Sequence, residues 1–101
     1  MKIIITIIFV LSFIFAFSQE KKEYFESGKI KCIYFLKNDK KQGKYVEFHQ
    51  NGQIKLKGKY NKGIEIGRWV CFSKSGVILG ETFYNRKGDI KKRKTINPAY
   101  K

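Results

Sequence analysis

The residues of this chain that could do chemistry are few and scattered. One histidine, His49, stands beside an Asn51-Gly52 pair, and the nearest carboxylate along the chain is Glu47. General acid–base catalysis needs a second titratable group at the reacting centre, and a metal centre needs several ligands at recurring spacings. No Asp, Glu, His or Cys cluster has such a spacing. Cys71 or Ser73 as a nucleophile would require a positioned base and oxyanion donors, and His49 is the only neutral-pH base on offer. The chain is therefore expected to be non-catalytic, with no cofactor, no metal and no small-molecule substrate. What remains is electrostatic. Lys55, Lys57 and Lys59 are spaced by two, which would put them on one face of a strand, with Lys31 and the rings of Tyr45 and Trp69 on neighbouring strands. These six residues form a candidate anion- or partner-binding face, a basic stripe with flat rings beside it. The plainer alternative is a wet face whose lysine stems cover apolar surface, with Tyr45, Phe48, Trp69 and Phe72 packing across strands. A solvent-facing His49 is expected on either reading.

The elements that must position these residues announce themselves by period. Ile54, Leu56, Gly58 and Tyr60 alternate with the three lysines, which is the pattern of a half-buried strand. Residues 44–50 alternate too and run into Asn51-Gly52, a pair suited to a two-residue hairpin turn whose central residues both need positive φ. The phrase recurs every 24 residues: Ser27-Gly28, Asn51-Gly52 and Ser75-Gly76, then Ile30, Ile54 and Ile78, then Leu36, Tyr60 and Tyr84. A fixed period of this size implies one hairpin unit stacked on itself, with the partial first copy acting as a cap. Residues 38–42, 62–66 and 86–89 read as loops between hairpins, and Gly43 and Gly67, at equivalent places, suggest positive φ or a close backbone approach. No aromatic follows at the expected place after Lys91, so the repeat domain is bounded at 19–90 and residues 91–101 read as a basic C-terminal tail. The expected class is all-β: consecutive 24-residue β-hairpins forming an elongated, twisted antiparallel sheet, preceded by a helical signal peptide.

That leader is residues 1–18, with Lys2 ahead of an apolar run and Ala16-Phe17-Ser18 before a cleavage point at Gln19. The apolar run of about 15 residues is shorter than the roughly 17 to 25 that span a bilayer. Cleavage would make the product exported, either periplasmic or secreted, whereas retention would make it an anchor. The formal net charge is +14, from 22 Lys and Arg against 8 Asp and Glu. Such a balance favours contact with anionic surfaces. For an exported protein these are lipid head groups, glycans or an acidic envelope protein, rather than nucleic acid. Cys32 and Cys71 would lie about three strand spacings apart, near 14 Å, beyond the roughly 7 Å between α-carbons that a disulfide spans. They are expected to be free thiols, Cys32 in the core and Cys71 more exposed.

The stretch Asn51-Gly52-Gln53-Ile54-Lys55, Gly58, Tyr60-Asn61-Lys62-Gly63 and Gly67-Arg68-Trp69 resembles the MORN-repeat variant of bacterial proteins. The likeness covers about residues 24–90. It departs from the pattern at Tyr34 and Thr82, where glycine is usual, and at Asp39 and Lys87, which replace the glycine of Gly63. The resemblance implies hairpins laid side by side and a role as an attachment or scaffold module. Some eukaryotic relatives associate with membranes, some bacterial variants are antitoxin-like, and no catalytic residue carries over. The expected function is thus a binding or scaffold module of the cell envelope. The alternative is an immunity or antitoxin-like protein that binds and neutralises a toxin.

Overall fold

A computed structural model describes residues 18–96, and within them the alternating segments become eight strands and no helix. These are β1 Gln19–Tyr24, β2 Ile30–Lys37, β3 Lys40–Lys41, β4 Gly43–Phe48, β5 Ile54–Asn61, β6 Ile64–Phe72, β7 Ile78–Tyr84 and β8 Ile90–Thr95. All pairs are antiparallel in one open sheet of order β1-β2-β4-β5-β6-β7-β8, with the short β3 pairing only β2. The all-β expectation holds. The leader expected over residues 1–18 lies, but for Ser18, outside the described residues.

The turns explain why neighbours in sequence are neighbours in the sheet. The Gly52 amide donates to the His49 carbonyl and the His49 amide donates to the Gln53 carbonyl. Only Gly52 of the Asn51-Gly52 pair has positive φ, at 88°. This is a three-residue loop of the type I plus bulge kind, not the two-residue turn that the dipeptide suggested. The Asn51 side chain braces the loop: Oδ1 accepts the Gln53 amide at 3.0 Å and Nδ2 donates to the Lys74 carbonyl at 2.8 Å. The same two backbone bonds close the turns at Phe25 with Gly28 and at Ser73 with Gly76. Two-residue turns with positive φ at both centres do occur, at Asn38-Asp39 and Lys62-Gly63. They lie in two of the segments expected to be loops between hairpins, where Asp39 takes at φ 62° the place of Gly63. Gly43 and Gly67 have the positive φ their spacing suggested.

The third such segment differs. Asn85 and Gly88 close a turn like that at His49 and Gly52, with Asn85 Oδ1 accepting the Lys87 and Asp89 amides at 2.9 Å each. The chain therefore returns along β7, and residues 91–95, expected to begin a basic tail, form most of β8. Backbone pairing asks only for a neighbour in register, and four consecutive cations are no obstacle to it at a wet sheet edge.

Cross-strand register defines the two faces. Glu23, Cys32, Glu47, Leu56, Cys71, Gly80 and Thr95 lie in one transverse row. Their chain neighbours Lys22, Ile33, Val46, Lys57, Val70, Glu81 and Lys94 form the next row, on the opposite face. Cys32 and Cys71 are thus separated by β4 and β5 and are free, as expected. A single layer encloses little: among the described residues the buried apolar ones are Cys32, Trp69 and Val70.

Candidate functional site

On the face of Cys71 the core is a ladder of rings. Trp69, 5% exposed, lies with its centroid 5.6 Å from Tyr45, 5.0 Å from Tyr60 and 6.4 Å from Tyr84. Tyr45 continues the series to Tyr60 at 5.5 Å and to Tyr34 at 6.5 Å. The edge-on and tilted geometries are those that ring quadrupoles favour. The indole rests on Gly58, where any Cβ would overlap the ring, so this glycine is required for space. Trp69 Nε1 donates to the Ile66 carbonyl at 3.1 Å. Lys41, on the short β3, places its ammonium 5.0, 5.3 and 5.2 Å from the centroids of Tyr34, Tyr45 and Tyr60.

Carboxylates tune this face. Tyr45 donates its hydroxyl to Glu47 Oε1 at 2.9 Å, and burial together with that charge raises its pKa far above the usual tyrosine range. Burial, and after it Glu65, raises Tyr60 and Tyr84 in the same way. Cys32 donates to Glu23 Oε2 at 3.3 Å, and burial first, then Glu23, raises its thiol.

The opposite face carries cations. Lys44 and Lys59 are directly paired across β4 and β5, an arrangement of like charges that costs stability. Lys57 and Arg68 complete a ring of four around a depression of about 450 Å³ floored by Val46, Gly58 and Val70. Among the described residues no carboxylate lines it. Arg68 is bound to Glu81, whose Oε1 accepts from Nε at 3.0 Å and from the terminal guanidinium nitrogen. Lys57 Nζ sits 5.5 Å from the Phe72 ring centroid. Lys44 and Lys59 form no ion pair with a described residue.

The expected stripe is thus redrawn. Lys57 and Lys59 do share a face and a depression. Lys55 is the extra residue of a β-bulge opposite Glu47 and Phe48, and its ammonium lies 3.6 Å from Glu47 Oε2, beside the Tyr45 hydroxyl partner. Lys31 is the extra residue of the equivalent bulge on β2, two strands away from β5 in the sheet order. Tyr45 and Trp69 belong to the other face, since Tyr45 stands opposite Gly58 while Lys57 stands opposite Val46. Sequence reasoning missed Lys44 and Arg68. Counting back from the turn at Gly52 would have found Lys44 opposite Lys59, because the bulge at Lys55 restores the register that a two-residue turn would give.

The other candidate groups are structurally engaged. His49 is half-buried rather than solvent-facing, with Nε2 2.9 Å from the Phe72 carbonyl, so it carries its proton there and ties one hairpin loop to the next. Gln42 plays the same part at the other end of the strands, donating to Asn61 Oδ1 at 3.0 Å and accepting the Lys62 amide at 2.7 Å. Among the described residues no three His, Cys, Asp or Glu side chains gather as metal ligands. Comparison with known proteins found no matching family model, no matching curated protein and no matching solved structure.

Proposed function

We propose that this chain is a non-catalytic, exported repeat protein of the MORN-like kind that serves as a binding or scaffold module in the cell envelope. The observation that carries the reading is the depression ringed by Lys44, Lys57, Lys59 and Arg68, with Lys44 directly opposite Lys59 and no carboxylate in its lining. Two lysines held opposite each other are stabilised when an anionic group lies between them. A single-layer sheet leaves that depression open to a surface rather than to a small enclosed ligand. The partner is an anionic surface, a lipid head group or glycan, or an envelope protein presenting acidic groups. The 24-residue period and the equivalent turns at Gly28, Gly52 and Gly76 support the repeat reading. β8 then stands as an additional half-unit that closes the array.

The test is a pull-down from envelope extract at low and high salt, with a Lys44→Gln, Lys57→Gln, Lys59→Gln variant beside the native chain. Retention of lipid or glycan that vanishes with salt and in the variant supports the anionic-surface reading. A single protein kept by both forms at high salt would instead mean recognition by shape, with the lysines only a wet face.

A further inference from the structure

The ringed face contains a second concavity, on the side of the sheet away from the cationic depression and independent of that reading. It is a cup of about 410 Å³, within the range of small-ligand sites, walled by Tyr60, Trp69 and Tyr84 and floored by Leu56 and Cys71. Gly80, which contributes no side chain, leaves the floor low beside Cys71. One cation lines it: Arg93 of β8, which is opposite Thr82 and so on the ringed face, while Lys92 and Lys94 fall on the other.

The charges around the cup are distributed unevenly. Glu81 borders it but is bound to Arg68. Glu65 also lines the cup, where after burial it is the main cause of the raised Tyr84 pKa. Arg93 makes no ion pair with any described carboxylate, unlike Arg68 with Glu81 and Lys55 with Glu47. A guanidinium at the rim of an aromatic cup offers a planar fork to a carboxylate while the rings take up a flat apolar body.

We propose that this cup binds an aromatic ring bearing a carboxylate, with the ring against Tyr60 and Tyr84, beside the largely buried Trp69, and the carboxylate on Arg93. The ligand is either a free aromatic acid or the C-terminal aromatic residue of a peptide; both present the same chemistry. Trp69 is the chain's only tryptophan and forms one wall, so its fluorescence reports occupancy directly.

The experiment is a fluorescence titration of the full chain with N-acetylphenylalanine, its neutral amide, benzylamine, and a short Gly/Ser peptide ending in phenylalanine. The acid is expected to give a saturable change that weakens about tenfold or more for the amide and for Arg93→Gln, as for loss of a charge-assisted hydrogen bond. Arg93→Lys, which keeps the charge without the fork, is expected to fall between. The peptide binding at least tenfold tighter than the free acid assigns a chain terminus as the source; equal or weaker binding assigns the free acid. The proposal is overturned if the amide binds as well as the acid, if benzylamine binds better, if Arg93→Gln binds as the native chain does while its circular dichroism is unchanged, or if no ligand saturates.

Discussion

On one face of the sheet, five rings from five strands form a ladder with Trp69 seated on Gly58; on the other, Lys44 and Lys59 stand opposite each other with no acidic side chain of the described residues in their depression. The strands are the same and only the alternate residue differs. The ringed face gains from contacts made within the chain, where each ring pair contributes about 0.5–1.5 kcal/mol beyond its buried area. The cationic face holds like charges together, which destabilises the isolated chain. Among the described residues only three apolar side chains are buried, so this single layer has little stability to spare.

Breaking the ringed face should have the largest effect. Trp69→Ala removes the indole that touches three tyrosines and covers Gly58, and a loss of about 3–5 kcal/mol is expected, enough to unfold the sheet in chemical denaturation. Gly58→Ala adds only a methyl group, but into the indole, and should cost about 1–3 kcal/mol and lower Tm accordingly.

A pH titration sharpens the same contrast. Tyr45, Tyr60 and Tyr84 have folded pKa values raised above the ordinary 10.0, with burial the main cause. Above pH 10 the unfolded chain therefore releases protons that the folded chain keeps, and stability must fall as pH rises, by up to about 1.4 kcal/mol per pH unit for each such tyrosine. Below that pH these tyrosines leave the unfolding free energy level. Tyr45→Phe should remove part of the alkaline loss and, by leaving Glu47 one donor short, cost about 1 kcal/mol at neutral pH. The smallest effect is expected on the cationic face, where Lys59→Gln should leave stability unchanged or raise it by a few tenths of a kcal/mol at low salt, a gain that disappears on adding salt.

How far the sequence carried this picture depended on whether the governing contact was local. The strands of residues 54–61 and 78–84 were legible because alternation and a nearby glycine turn are local properties, and the Lys44–Lys59 register was available by counting from that turn. The turn type was not, because Asn51-Gly52 fits a two-residue turn as well as the three-residue loop that also forms at Ser27-Gly28 and Ser75-Gly76. β8 is the exception, since the Asn85 turn that folds the chain back is local: the four cations of residues 91–94 signal solvent, and that signal outweighed the turn. The division of Tyr45 and Trp69 from Lys57 and Lys59 follows from alternation, yet the departure of Lys55 to Glu47 needs a bulge that no single-residue preference reveals. Lys41 above three tyrosines was beyond reach, since it depends on where the two-residue strand β3 lies against its neighbours.

The central claim is that one face holds the fold and the other is free to bind. It is tested most directly by measuring, on one triple variant, Lys44→Gln, Lys57→Gln, Lys59→Gln, both the unfolding free energy and co-sedimentation with vesicles containing phosphatidylglycerol rather than phosphatidylcholine alone. The account predicts native or slightly higher stability together with loss of salt-sensitive vesicle binding. A variant destabilised by more than about 1 kcal/mol, or one that binds the anionic vesicles as the native chain does, would contradict it.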